Sequence, residues 1–299
     1  MDEFVKDIKN QFKKANIVLR FIYANVAVYL LFALLGVAYM LFNRSVEGVF
    51  QYLAFPSSFM RFLTQPWSIV TYMFMHAGFF HLLFNMLWLY WFGQIFLRFF
   101  SAVHLRGLYF LGGMCGGLLY MFFYNVFPYF SSMVESAILV GASASVLAIV
   151  MATAYREPNY PIRLFIFGSF PLKYLAIFMV VSDLLFMTST NAGGHIAHIG
   201  GALAGFWFAA SLPKGKDRTR WVNIVIDTIV HFFSTPFKLR KKKPKMKIHK
   251  GKRQMDYDYN EEQNKKTGEV DRILEKLKKS GYVSLTEEEK KSLFDASKK

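Results

Sequence analysis

Apolar positions along the chain fall in six blocks, at about residues 18–42, 78–99, 104–127, 143–155, 172–188 and 195–212, separated by shorter polar stretches. A helix needs roughly 20 apolar residues to cross a hydrocarbon layer, and most of these blocks approach or exceed that length. The fourth is short, which suits a helix that begins inside the protein rather than at the lipid surface. Irregular backbone at that depth is tolerated only where protein or a water-filled cavity surrounds it. The pattern therefore predicts an all-α, polytopic membrane protein of six transmembrane helices over residues 18–212, with a cavity at the head of the fourth.

The polar intervals divide the rest. Residues 1–17 form a charged N-terminal segment, and the block after it is too long for a signal-peptide core, so it reads as a retained span. Residues 43–77 carry Pro56, Ser57, Ser58, Pro66 and several aromatics, which predicts a structured outer loop of short helical pieces. Residues 213–253 combine an interrupted apolar stretch (221–237), expected to lie as an amphipathic helix in the interface, with a basic run at 238–253. Residues 254–299 read as a flexible linker and a small helical appendix on the cytoplasmic side. In it, Gly281 stops one helix, and Ser284 with Glu287 is expected to cap a second at 285–296.

The composition supports this class: 54% of the 299 residues are hydrophobic and 18% aromatic. A single cysteine, Cys115, excludes an intrachain disulfide. The net charge of +16 is unevenly placed. Lys6, Lys9, Lys13, Lys14 and Arg20 precede the first span, and Arg98, Arg106, Arg156, Arg163 and Lys173 flank the second and fourth connections. The third and fifth (128–142 and 189–194) have no Lys or Arg. By the positive-inside rule both termini are cytoplasmic. Arg44 and Arg61 in the first connection fit the rule less well. The basic run is expected to contact anionic lipid rather than nucleic acid.

Two polar groups interrupt the apolar blocks where chemistry is the default reading. Ser143 sits in a turn of small residues with Gly141, Ala142 and Ala144, where free backbone N–H groups at a helix start favour developing negative charge. His198 shares a helical face with Gly201 and Gly205, and a hydroxyl becomes a nucleophile when an imidazole takes its proton. His195 lies one turn nearer the rim. His81 and Asn85, one turn apart at the start of the second span, have the spacing to donate together to one oxygen, as an oxyanion hole requires. Asp183 in the fifth span is a rival orienting carboxylate, although a polar or gate contact is preferred. A metal hydrolase built on His76, His81, His195 and His198 is set aside because no carboxylate is expected in the same layer; no metal and no cofactor is expected.

Trp67, His76, His81-x-x-x-Asn85, Gly93, Gly141-Ala142-Ser143-Ala144 and His198-x-x-Gly201, in this order, resemble the rhomboid family of intramembrane serine proteases. The resemblance covers about residues 15–212. It implies a Ser143/His198 dyad with His81 and Asn85 in the oxyanion hole, cleaving single-span membrane proteins without a metal. Trp67, Gly141 and His195 are accessory candidates. Non-catalytic relatives that bind or sort membrane helices usually lack the serine or the histidine; this chain has both. It departs from the family pattern at Ser68, Leu97, Ser101, Ala144 and Leu147, none of which is a reacting group. The expected location is a bacterial cytoplasmic membrane.

Overall fold

The computed structural model describes residues 15–164, 168–234 and 268–297. They fall into two units that divide after Thr235. The first holds the apolar helices: α1 (Ile17–Leu41), α2 (Glu47–Leu53), α3 (Phe59–Thr64), α4 (Ser68–Thr71), α5 (Phe79–Phe96), α6 (Ala102–Val126), α7 (Ser143–Arg156), α8 (Leu172–Leu185), α9 (Ala192–Ser211) and α10 (Arg220–Ser234). Among the described residues, α1, α5, α6 and α9 (extended to Lys214) are long and apolar enough to cross a membrane. The 14-residue α7 and α8 complete the six expected helices. The basic run at 238–253 and the segment 1–14 lie outside the described residues.

Small residues set how closely these helices meet. α7 is gripped from two sides: a Cβ on Gly112 of α6 would stand 2.4 Å from the Ala148 Cβ, and one on Gly201 of α9 would stand 2.1 Å from the Ala144 carbonyl oxygen. Lipid supplies no hydrophobic drive between helices, so close backbone approach at small residues does that work. Some polar side chains pair across the bundle. Asn25 of α1 donates to the Tyr109 hydroxyl at 3.1 Å, and that hydroxyl donates to the Met73 carbonyl at 3.1 Å.

The first connection folds as short pieces, α2 to α4 and a 3₁₀ turn at Tyr72–Phe74. Two short β pairings, which helical periodicity did not predict, complete the unit. β1 (Phe55–Pro56) pairs antiparallel with β2 (Ile138–Leu139) and ties the first connection to the segment entering α7. β3 (Pro161–Leu164) pairs with β4 (Gly168–Pro171) between α7 and α8. α10 packs on α6 through an Arg106–Asp227 ion pair at 2.7 Å and an Arg106–Asn223 hydrogen bond at 2.8 Å.

The second unit is a helix over 268–280, α11, followed by α12 (Glu287–Ser297). Gly281, at φ +75°, ends α11 and returns its N–H to the Leu277 carbonyl. The cap of α12 differs from expectation by two residues. Thr286 Oγ1 accepts from the Glu289 N–H, and Glu289 accepts from the Thr286 N–H at 2.8 Å. Ser284 instead donates to the Gly281 carbonyl. Both positions satisfy the S/T-x-x-E spacing; the 3₁₀ turn at Tyr282–Ser284 consumes the first.

Candidate functional site

α7 begins at Ser143, preceded by Ala142 with no side-chain cap. The first-turn N–H groups of a helix have no intrahelical acceptor, so the donors beside Ser143 are available. Gly141 sets the entry: its φ is +122°, its N–H donates to the Tyr72 carbonyl at 3.0 Å, and β2 lies just upstream. Only glycine holds that backbone region at low cost. Absence of a Cβ also admits His81, whose ring edge lies 2.8 Å from where that atom would be, with Ser143 Oγ 3.8 Å from the same point.

Ser143, His198 and Asn85 line one cavity of about 200 Å³ with Phe84, Trp88, Val146, Leu147 and Met179. Its walls come from α5, α7, α8 and α9. Ser143 is half-buried and makes no side-chain hydrogen bond with His198; catalytic contacts are often long before substrate binds. Asn85 is buried and spends one amide N–H on the His81 carbonyl at 2.8 Å, which leaves its second donor unspent. His81 borders the cavity across Gly141 rather than lining it.

Asp183 makes a polar contact, and its partners are the two histidines of α9: its Oδ1 lies 2.9 Å from His198 Nδ1 and 2.8 Å from His195 Nδ1. Its side chain is 7% exposed, and a carboxylate at that depth is costly unless paired. A carboxylate does therefore stand in the histidine layer, contrary to expectation. Asp183, His195 and His198 bring three donor atoms within 4.8 Å of one another, a set able to hold a metal ion. His76 and His81, the other half of the four-histidine set, stack edge to face at 5.1 Å. Sequence periodicity indicated that Asp183 lay in an apolar helix, but not which way it faced.

Trp67 is a second departure. Its indole N–H donates to the Tyr52 carbonyl at 3.0 Å, and its ring packs on Tyr52 at 4.7 Å. It braces α2 against α4 and is absent from the cavity wall.

His76, in the connection before α5, is buried, and burial together with the neighbouring His81 lowers its pKa from 6.5 to about 4. A base held neutral in the fold stabilises it fully above pH 6.5, and that stability is lost as pH falls toward 4, where the unfolded chain binds the extra proton. We expect the wild type to lose on the order of 3 kcal/mol from this group between pH 7 and pH 4. The His76→Gln protein should lose less over the same interval in detergent unfolding experiments. Equal losses in both would refute the assignment.

Apolar helices long enough to cross a membrane, with a serine, an imidazole and an amide lining one half-open pocket, define a helical membrane protein. The Rhomboid domain family model matches residues 63–214, just over half of the chain, and the chain belongs to the rhomboid family. A second model, a family of unknown function (DUF6576), matches residues 253–299. Among similar proteins, RHOMBOID-like protein 12, mitochondrial, of Arabidopsis thaliana is 29% identical over 160 residues, 50% of this chain and 48% of the relative. RHOMBOID-like protein 7 of the same plant is 30% identical over 176 residues, 56% of this chain and 50% of the relative. The chain thus spans about half the length of each.

Proposed function

We propose that this protein is an intramembrane serine endopeptidase that cleaves single-span membrane proteins. The observation that carries the reading is the shared cavity of Ser143, His198 and Asn85 at the head of α7. Ser143 Oγ attacks the scissile carbonyl carbon as His198 takes its proton, and the carbonyl electron pair moves onto oxygen. That oxyanion is met by the Ser143 N–H, His81 and the unspent Asn85 donor. The C–N bond then breaks as His198 returns the proton to the leaving nitrogen. Water, activated by the same imidazole, hydrolyses the acyl-enzyme.

The orientation we propose has both termini on the cytoplasmic face of a bacterial membrane, because Lys and Arg concentrate around the termini and the second and fourth connections. In the same orientation the basic run at 238–253 meets anionic lipid.

The test is labelling with a serine-directed fluorophosphonate, with cleavage of a single-span reporter in proteoliposomes followed in parallel. Wild type should label and cleave in the presence of a chelator, and Ser143→Ala should do neither. A second reading, metal-dependent hydrolysis, is favoured by the Asp183, His195 and His198 donor set. It predicts that the chelator stops cleavage while Ser143→Ala does not. Absence of labelling and cleavage in wild type would favour a non-catalytic protein that binds or sorts membrane helices.

Gly141→Ala tests the entry turn. The substitution forces a side chain into a backbone region costing about 1–3 kcal/mol and into the His81 ring. Turnover is expected to fall about 10²- to 10³-fold, the effect of losing one oxyanion donor. A rate within twofold of wild type would show that the turn tolerates the change.

A further inference from the structure

We infer that Asp183 is a positioning residue for His198, holding the imidazole in the tautomer and orientation that the serine chemistry needs. The inference rests on the proposed Ser143–His198 reading and adds a third member to it. An ionised carboxylate accepts hydrogen bonds and donates none. The 2.9 Å contact between Asp183 Oδ1 and His198 Nδ1 therefore assigns the proton of the neutral ring to Nδ1. That leaves the Nε2 lone pair unprotonated, the form a general base requires. When His198 takes the serine proton, the buried carboxylate also balances the new positive charge in a medium that screens little.

The surroundings give the ring little other support. Among the described residues, the one ring contact of His198 is with His195, edge to face at 6.0 Å. Leu147, in the cavity wall beside it, supplies no hydrogen bond. The titratable and polar groups facing this point are Asp183 from α8, His195 from α9, Ser143 from α7, and His81 and Asn85 from α5. Of these, Asp183 is the one that hydrogen-bonds His198. His195 Nδ1 shares the same oxygen at 2.8 Å, so it too carries its proton there. In that arrangement His195 is a second anchor for the carboxylate, fixing it between α8 and α9.

A purely structural clamp between those helices is the competing role, and two measurements separate the roles. The first is kcat and KM on the single-span reporter for Asp183→Asn and Asp183→Glu. An asparagine keeps the shape but lacks the charge and can present an N–H to the ring. Asp183→Asn is expected to lower kcat by about 10²- to 10⁴-fold, by analogy with amide replacement of the orienting carboxylate in serine proteases, with KM and thermal midpoint little changed. Asp183→Glu is expected to restore part of the rate. A kcat for Asp183→Asn within threefold of wild type would overturn the inference. So would a loss that tracks thermal stability with no rescue by glutamate.

The second measurement needs no variant to fold. ¹⁵N-histidine NMR of the wild-type protein in detergent should find His198 protonated at Nδ1 and bare at Nε2 when neutral. The opposite tautomer, or an Nδ1 occupied by a metal and freed by chelator, would overturn it. If Ser143→Ala still cleaves, the serine reading itself has failed. If Ser143→Ala is inert while Asp183→Asn is active, only the role of Asp183 has.

Discussion

Alanine at Ser143 is expected to lower turnover of a single-span substrate by about 10⁴- to 10⁶-fold, alanine at His198 by a comparable factor, and the double substitution scarcely further. The reason is mechanistic rather than additive. Without the imidazole the hydroxyl keeps its proton and is a poor nucleophile; without the hydroxyl the imidazole has no proton to take. Each group is worth its full effect only in the presence of the other. Whatever rate survives comes from the donors around the oxyanion position, the first-turn N–H groups of α7, His81 and Asn85. The measurement is single-turnover cleavage in proteoliposomes, with fluorophosphonate labelling as a second readout. Additive losses in the double variant would mean that Ser143 and His198 do not act as a unit. The cavity they share would then need another explanation.

Gly201→Val is also expected to impair cleavage, although residue 201 touches no substrate in the proposed mechanism. A Cβ at 201 would stand 2.1 Å from the Ala144 carbonyl oxygen and 3.0 Å from its Cα. Those atoms are backbone of the first turn of α7, so relief requires α7 and α9 to move apart. The moving turn carries Ser143, and α9 carries His198. A displacement near 1 Å between reacting groups costs about 100-fold in rate. We therefore expect a loss of at least that size, with overpacking also lowering stability by about 1–3 kcal/mol. Gly205→Ala should act in the same direction, since its Cβ would meet the Ala148 carbonyl oxygen at 2.2 Å. Gly48→Ala in α2 is the control, because nothing lies within 4 Å of its Cβ position. If Gly201→Val cleaved like wild type, the close packing of α7 and α9 would have no part in holding the site.

The glycine contacts also explain how a short helix is held in the interior. α7 has 14 residues, and Ala144 and Ala148 meet glycines on both sides. Gly112 and Gly116 of α6 approach from one side, and Gly201 and Gly205 of α9 from the other. The i, i+4 spacing repeats on all three helices, so one register satisfies both contacts. Moving one residue along any of them would set side chains against backbone. The position of Ser143 is thus tied to a packing register, since Ala144 beside it meets both Gly116 and Gly201.

Much of this architecture is legible in the amino-acid sequence. An unbroken apolar run in lipid has one economical solution, a helix that satisfies its own backbone, and the blocks at 18–42 and 104–127 became α1 and α6 with ends shifted by one or two residues. Ser143 and His198 stood out because polar groups are rare in such runs. Short β pairings did not stand out. Phe55–Pro56 pairs with Ile138–Leu139 over only two residues, too few for a period to register. Spacing does not choose the cap of α12, because two overlapping S/T-x-x-E frames, Ser284 with Glu287 and Thr286 with Glu289, are equally good. Motif order alone places Trp67 with the site, whereas its indole hydrogen-bonds within the first connection.

Residue order alone, through the free energy of apolar surface and unpaired backbone in hydrocarbon, determined the membrane class, the helices and the two polar groups worth suspecting. Tertiary structure alone decided that Asp183 meets His195 and His198. That meeting depends on the rotation of α8 about its axis relative to α9. The rotation of one helix against another is a property of the pair, which no single segment carries.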